Sequence, residues 1–177
     1  VEICMNMNLY AYGKENNQKW IIVDMGVTFA DDSIPGIDLI MPDPGFIIDK
    51  KDDLLGIVLT HAHEDHIGAV AHIWPELKCK LFATPFTAAL ITEKFKEKKI
   101  DISSFLKIVP LNSKIKLGDF EIDFVTLTHS ILEPNGLSIK TPLGTILHTG
   151  DWKIDPNPLI GNKIDQEKLT KIGDEGV

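Results

Sequence analysis

Residues 54–66 read Leu-Leu-Gly-Ile-Val-Leu-Thr-His-Ala-His-Glu-Asp-His, and this stretch decides the fold. Its first half, Leu54 to Thr60, is a continuous apolar run that ends in polar residues, which is typical of a strand buried on both faces. Its second half crowds ionisable side chains into the next six residues. Side chains that follow a buried strand and precede a helix are held by a rigid scaffold and face a cleft. The stretch therefore predicts an α/β protein with a functional site at the end of this strand.

The spacing His61-x-His63-x-Asp65-His66 is typical of metal ligands. So many ionisable groups would destabilise an ordinary loop unless an ion is bound, and imidazoles with a carboxylate suit zinc, with manganese or iron as alternatives. One ion needs about three protein ligands and an open position for water. His61 and His63 can reach one ion from an extended loop, whereas Asp65 and His66 point elsewhere on the turn and could serve a second ion.

Two further ligand candidates follow other predicted strands. His129 comes after the strand Phe120 to Thr128, and Asp151 comes after the strand Gly144 to Thr149. Alone, His129 would more often be a hydrogen-bonded histidine and Asp151 a turn residue. Beside the clustered motif they become candidates, and a carboxylate at a strand end next to Gly150 is well placed to bridge two cations.

Three other polar residues are given lesser roles. Asp24 ends the apolar run 21–23, and it is either a turn carboxylate or a residue that orients a ligand histidine through the ring N–H. His72 lies on the helix that follows the motif, and we assign it to packing or surface. His148 is expected to support the site at most, because it should point away from Thr149 on its strand.

The rest of the chain is expected to form short strands and helices without an internal domain boundary. Residues 31–53 are rich in Pro and Gly and predict a long functional loop. Thr84 should cap a helix that begins at Pro85 and runs to about Lys98. Further predicted elements are strands at 5–12, 20–24, 79–83, 105–109, 114–117 and 137–141, a polar turn at 13–19, and helices at 67–74, stopped by Pro75, and at 165–172.

Composition narrows the function classes. The chain has 177 residues, 44% of them hydrophobic and 25% charged, which suits one globular domain with a core. No apolar run is long enough to span a bilayer, and we expect no membrane association. The net charge of −8 lacks the basic footprint of a nucleic-acid binder. Cys4 and Cys79 are expected to be small buried hydrophobes in a reducing cytoplasm.

The motifs resemble those of the metallo-β-lactamase superfamily. The match covers residues 61–66 together with Asp24, His129 and Asp151. It narrows to the β-CASP ribonucleases of the ribonuclease J type, which residues 27–43, 60–69, 128–131 and 141–153 resemble. Residues 2–3 and 5–7 match that family's first strand, with Cys4 where a glycine is usual.

This resemblance implies an αββα sandwich and a zinc-dependent RNA phosphodiesterase with 5′-to-3′ exonuclease and endonuclease activity, favoured by a 5′-monophosphate on the RNA. Carried over to this chain, His61, His63 and His129 would hold one zinc ion, Asp65 and His66 the other, and Asp151 would bridge them. Asp65 would also accept or relay the proton of the nucleophile. Mn²⁺ or Mg²⁺ are alternative ions, and the full-length enzyme is expected to be a homo-oligomer.

The chain also departs from the family pattern. In the family, a β-CASP domain follows this region and the chain then returns with a further histidine ligand and phosphate-gripping residues. We therefore expect residues 1–177 to be the N-terminal part of a metallo-β-lactamase domain, folded but with little activity alone. Residues 132–135 differ from the usual Pro-Asp pair after His129, which changes the expected loop geometry there.

Two rival functions remain open at this point. A glyoxalase-II-like thioesterase or a lactamase would carry a similar metal site on the same fold. A non-catalytic metal-binding or assembly module would show the same ligands without hydrolysis.

Overall fold

The structure is a computed structural model that describes residues 5–177; Cys4 and the family match at residues 2–3 lie outside this range. Over these residues, one sheet contains five strands: β1 Asn8–Lys14, β2 Asn17–Val23, β5 Leu54–Val58, β6 Leu81–Ala83 and β7 Leu106–Ile108. Their order in the sheet is β1-β2-β5-β6-β7. The first two strands are antiparallel, and the remaining neighbours in the sheet are parallel.

A second, antiparallel sheet of four strands packs against the first, and its order over the described residues is β11-β10-β9-β8. Residues alternate in burial along the start of β9, since Phe120, Ile122 and Phe124 are buried while Glu121 is exposed. These side chains pack against Ile21 and Val58 of the first sheet. The bounds are β8 Lys114–Leu117, β9 Phe120–Thr126, β10 Asn135–Thr141 and β11 Gly144–His148, with a small hairpin of β3 Thr28–Phe29 and β4 Leu39–Ile40 elsewhere.

Helices cover the outer faces of the two sheets. The other face of the first sheet packs on the core that includes Trp74 of α3 and Ile91 of α4. Helix α5 lies on the outer face of the second sheet, where Lys168 Nζ donates to the Phe124 carbonyl at 2.8 Å. The helices are α1 Gly45–Ile48, α2 Glu64–Ile67, α3 Val70–Leu77, α4 Pro85–Glu97 and α5 Gln166–Glu175, with a 3-10 turn at Lys51–Asp53. The order helix, sheet, sheet, helix confirms the predicted αββα class.

The prediction that the third helix stops at Pro75 is wrong. Pro75 lies inside α3, which continues to Leu77 and ends where Lys78 adopts a left-handed conformation. An internal proline costs about 3 kcal/mol, whereas burial of a large apolar side chain contributes roughly 1.5–3 kcal/mol. Because Ile73, Trp74 and Leu77 are all buried, packing of this helix outweighs the lost backbone bond.

Several predicted boundaries also shift. The polar turn expected at residues 13–19 is shorter, because β1 and β2 pair as far as Lys14 and Asn17. Thr84 precedes α4 as predicted, but its hydroxyl does not bond to a helix N–H. Instead a Glu133 carboxylate oxygen accepts from the Phe86 N–H at 2.8 Å. The predicted loop 31–53 contains β4, α1 and the 3-10 turn.

The burial of Cys79 and the length of the apolar helices can both be compared with the sequence. Cys79 is buried, as expected, and burial raises the pKa of its thiol to about 12. None of the helices within residues 5–177 is both long and apolar enough to cross a lipid bilayer.

Candidate metal centre

The predicted site residues meet at one edge of the two sheets. Asp24 and the motif at 61–66 follow β2 and β5, neighbouring parallel strands whose carboxyl ends share that edge. His129 and Asp151 come from the loops after β9 and β11 of the second sheet. A backbone hydrogen bond of 3.2 Å from Asn135 N to Thr60 O joins the sheets there.

His61, His63 and His129 form what we call the three-histidine group. The Nε2 atoms of His61 and His129 each lie 3.2 Å from His63 Nδ1. One ligand atom from each residue falls within 4.8 Å of the other two. Three ring nitrogens that converge in this way offer their lone pairs to one point, which is the donor set of a metal ion.

Thr60 fixes which nitrogen of His61 faces the group. The Thr60 hydroxyl donates to Asp24 Oδ2 at 2.8 Å, so its single proton is used. His61 Nδ1 lies 3.0 Å from Thr60 Oγ1 and must therefore donate its N–H to that hydroxyl oxygen. Consequently His61 Nε2 carries the lone pair and is free to bind a metal ion.

His66, Asp65 and Asp151 form a second cluster, which we call the carboxylate group. His66 Nε2 lies 3.4 Å from Asp65 Oδ2 and 3.5 Å from Asp151 Oδ1. The His66 side chain is 2% exposed, whereas that of Asp151 is 45% exposed. This group pairs a buried nitrogen with carboxylates that reach toward solvent.

Asp151 lies between the two groups. Its Oδ1 faces His66, and its Oδ2 lies 3.8 Å from His129 Nε2. His61 also lies close to the carboxylate group, since ligand atoms of His61, His66 and Asp151 lie within 4.8 Å of one another. One carboxylate with an oxygen toward each cluster has the geometry of a bridge between two cations.

Asp24 supports both groups from beneath. It is fully buried and accepts from Thr60 N at 2.8 Å. His66 Nδ1 lies 2.7 Å from Asp24 Oδ2, so that nitrogen carries the proton and His66 Nε2 is left for the cluster. Asp24 adopts φ of +61°, a conformation that aspartate tolerates better than most residues. An orienting role for Asp24 toward a ligand histidine stays a prediction, and it requires a contact of this kind.

Close backbone contact positions the carboxylate group. Met25 N donates to His66 O at 2.7 Å, and Asn6 N donates to Asp65 O at 2.8 Å. Only glycine fits at residue 26, because a Cβ there would lie 1.6 Å from Asp65 O. The Asn6 side-chain amide lies 3.2 Å from His66 Nε2. The end of β2 and the segment before β1 therefore fix the turn that carries Asp65 and His66.

The two groups differ in electrostatics. Burial and the neighbouring histidines lower the pKa of His61 to about 2, so its ring is neutral. Burial also lowers the pKa of His66, but the hydrogen bond and charge of Asp24, with the charges of Asp65 and Asp151, outweigh burial and leave that pKa raised. A divalent cation at Asp65 and Asp151 would neutralise the same excess negative charge. The cluster of His and Asp side chains is therefore compatible with a metal site.

The remaining histidines of the described residues, His72 and His148, lie outside the two groups. His72 is exposed on α3, away from the site, as predicted. His148 contacts no ligand candidate at hydrogen-bond distance among the described residues: its Nδ1 is 2.8 Å from the Tyr10 hydroxyl and its Nε2 is 4.0 Å from Asp24 Oδ2. The contacts of Thr60, Asn6 and Tyr10 at the site were not predicted, because a single hydroxyl, amide or phenol forms no spacing pattern in the sequence.

Residues 8–162 match the family described as the metallo-beta-lactamase superfamily. Because this match covers most of the chain, the protein belongs to that superfamily. Solved structures support the fold: YhfI from Bacillus subtilis aligns with a TM-score of 0.54 at 14% identity, covering 84% of this chain and 56% of that one. Zn²⁺-bound PqqB from Methylobacterium extorquens aligns with a TM-score of 0.51 at 13% identity, covering 79% and 47%.

Within the superfamily, the chain is similar to proteins named ribonuclease J. The relative from Sinorhizobium meliloti is 43% identical over 178 residues, which covers 99% of this chain and 31% of the relative. The relative from Helicobacter pylori strain 26695 is 39% identical over 164 residues, covering 92% and 24%. That from Thermus thermophilus is 33% identical over 183 residues, covering 99% and 31%. The chain thus spans between a quarter and a third of the length of these relatives.

Proposed function

We propose that this chain is the N-terminal part of the catalytic domain of a zinc-dependent RNA phosphodiesterase. The observation that carries the proposal is the position of Asp151, with one oxygen 3.5 Å from His66 Nε2 and the other 3.8 Å from His129 Nε2. Such a carboxylate fits a centre of two ions, with His61, His63 and His129 on one side and Asp65 and His66 on the other. The substrate class follows from relatives named ribonuclease J.

The donor set favours zinc. Three imidazole nitrogens with carboxylates are common zinc ligands, while Mn²⁺ can use the same atoms and Mg²⁺ prefers oxygen. A structural relative, PqqB, is described as Zn²⁺-bound. Two bound divalent ions would supply a hydroxide nucleophile at neutral pH and charge neutralisation for a scissile phosphate.

The chain's own residues would orient these reactants. Asp24 and Thr60 hold the rings of His66 and His61 in the required tautomers. The Asp65 side chain is 15% exposed beside His66 Nε2, which supports a role for its carboxylate in accepting the proton of the attacking nucleophile. The net charge of −8 would repel RNA, and we assign the RNA-gripping surface to regions beyond these residues. We therefore expect the 177-residue chain alone to have little activity.

The finer aspects of the proposal come from the family resemblance. They are 5′-to-3′ exonuclease and endonuclease activity, preference for a 5′-monophosphate, a cytoplasmic location and homo-oligomerisation of the whole protein. A thioesterase or lactamase on the same fold would share the metal ligands, and the relatives' name is what favours the ribonuclease.

The test uses a protein that contains this chain together with the β-CASP and returning regions. It should be assayed with added zinc or manganese on 5′-monophosphorylated RNA, 5′-triphosphorylated RNA, a glutathione thioester and a β-lactam. We expect fastest cleavage of the monophosphorylated RNA, loss of turnover with retained RNA binding in Asp151→Asn, and normal turnover in His72→Ala. Faster hydrolysis of the thioester or β-lactam would assign the site to a rival hydrolase, and metal binding without any hydrolysis would indicate a binding module.

A further inference from the structure

A chain of polar contacts links the carboxylate group to Tyr10 on β1 of the first sheet. The Tyr10 hydroxyl on β1 lies 2.8 Å from His148 Nδ1 at the end of β11. The other ring nitrogen, His148 Nε2, faces Asp24 Oδ2 at 4.0 Å. That same oxygen is 2.7 Å from His66 Nδ1. One residue from each sheet therefore stands behind the carboxylate that orients His66.

We propose that Tyr10 and His148 are positioning residues: the Tyr10 hydroxyl donates to His148 Nδ1, which fixes the Nε2–H tautomer of His148 and directs that N–H at Asp24. The proposal deepens the proposed function, because it concerns residues that would hold the metal ligand His66. Neither residue is a ligand candidate, and neither would touch the substrate.

The proton arrangement follows from the acceptors. Asp24 is surrounded by donors, namely Thr60 N, Thr60 Oγ1 and the N–H of His66. If His148 instead donated from Nδ1 to Tyr10, its Nε2 lone pair would face the buried Asp24 carboxylate, which is repulsive. Donation by Tyr10 to Nδ1 removes this conflict and leaves an N–H dipole toward the carboxylate.

The protonation states agree with this arrangement. Burial, and secondarily the charge of Asp24, raise the pKa of Tyr10, so its hydroxyl keeps its proton. Burial lowers the pKa of His148, with an opposing contribution from Asp24 and a smaller lowering by His66. A neutral imidazole carries a single N–H, and the tyrosine decides which nitrogen bears it.

The consequence is a better-held Asp24. A fully buried carboxylate is costly unless donors surround it, and the His148 N–H adds a further dipole that faces Asp24 Oδ2. At 4.0 Å this contact acts through charge and dipole rather than as a hydrogen bond. Without this dipole, Asp24 should be held less firmly, and so should the His66 ring that it orients. Metal affinity should therefore fall more at the carboxylate group than at the three-histidine group.

The first measurement is the tautomer of His148 in the zinc-free protein. Histidine labelled with ¹⁵N gives long-range ¹H–¹⁵N correlations that distinguish the two tautomers, and His148→Gln assigns the signal among the six histidines. We expect the Nε2–H tautomer in the wild type and a mixture in Tyr10→Phe. A wild-type Nδ1–H tautomer, or an unchanged tautomer in Tyr10→Phe, would overturn the proposal.

The second measurement is zinc affinity, by titration against a chelator. Tyr10→Phe should lower the zinc affinity on the carboxylate side by about threefold to tenfold. This loss is smaller than the roughly 10–100-fold loss of affinity when a residue bonded directly to a ligand is removed. The matched control is Tyr12→Phe on the same strand, where the ring packs edge-on against Phe120 with centroids 6.5 Å apart. Its zinc affinity should be unchanged.

A pair of variants at residue 148 separates positioning from packing. His148→Gln keeps an N–H donor and should retain more affinity than His148→Leu, which has similar bulk and no donor. Equal losses in the two variants would mean that His148 only fills space, and the proposal would fail. If the wild type binds no zinc, the proposed function fails, whereas the tautomer measurement still decides the role of Tyr10 and His148.

Discussion

The three-histidine group and the carboxylate group are built in different ways. In the three-histidine group, His129 comes from the loop after β9 of the second sheet, and its side chain is 20% exposed. In the carboxylate group, Asp151 also comes from the second sheet, but His66 and Asp65 are fixed within the first sheet by Asp24, Gly26 and Asn6. Rings from both sheets thus converge on one side, and a buried polar network holds His66 and Asp65 on the other.

The electrostatic difference has the same origin. Histidine rings crowd together on one side, where the pKa of His61 falls to about 2. Acidic side chains surround His66 on the other side, and the pKa of His66 is raised. Imidazole nitrogens select a metal ion by ligand type, whereas acidic side chains attract cations by charge. Substitutions should therefore act on the two groups through different mechanisms.

The largest effect is expected when a ligand of the three-histidine group is removed. His63→Ala leaves two of three nitrogens, and zinc affinity should fall by more than the roughly 100-fold that marks loss of a supporting residue. Elemental analysis after dialysis measures the bound zinc. The control His72→Ala removes an exposed histidine from α3 and should leave zinc content unchanged. Unchanged zinc in His63→Ala would show that the ligand assignment is wrong.

Asp24→Asn tests the buried support of the carboxylate group. The amide keeps the size of the side chain but loses the charge that holds the His66 N–H, and we expect metal affinity to fall by roughly 10–100-fold. Titration with a competing chelator measures the change. Asp53→Asn is the control, since Asp53 pairs with Lys19 at 2.6 Å at the opposite end of β5. Direct coordination by Asp24 in a metal-loaded structure would refute its supporting role.

Thr60→Val should affect both groups at once. The hydroxyl contacts His61 and Asp24, so its loss frees the tautomer of one and removes a donor from the other. We expect zinc affinity to drop about tenfold, which corresponds to about 1.4 kcal/mol. Thr60→Ser retains the hydroxyl and should behave like the wild type in the same titration. Weakening of one ion alone would show that Thr60 does not link the groups.

The smallest effect concerns pH and the zinc-free protein. Burial lowers the pKa of His148 from 6.5, so the unfolded state takes up this proton first as the pH falls. As the pH falls below 6.5, the free energy of unfolding of the wild type should therefore decrease more than that of His148→Gln. The difference should be at most about 1.4 kcal/mol per pH unit. Denaturant unfolding with a chelator present measures both proteins. Parallel pH profiles would mean that His148 is not held neutral by the fold.

The fold class and the candidate ligands can be predicted from the sequence alone. The clustered spacing at 61–66 marks a metal motif because chance rarely produces it. His129 and Asp151 are recognisable as candidates because each follows a predicted strand. Residue patterns also predict strands where β8, β9, β10 and β11 lie. Local patterns of this kind depend only on neighbouring residues, and for that reason they are readable without coordinates.

The support of the candidate ligands depends on tertiary contacts that the sequence pattern does not reveal. The contacts of Asp24 with Thr60 and His66, and of Tyr10 with His148, join residues separated by 36, 42 and 138 positions. The cap that Glu133 supplies to α4 likewise depends on tertiary contacts. Helix α3 continues past Pro75 for the same reason, because its apolar side chains pack in the core. A single hydroxyl, phenol or carboxylate has no periodicity, and its partner is fixed by how the two sheets close on each other, so sequence pattern alone carries no record of it.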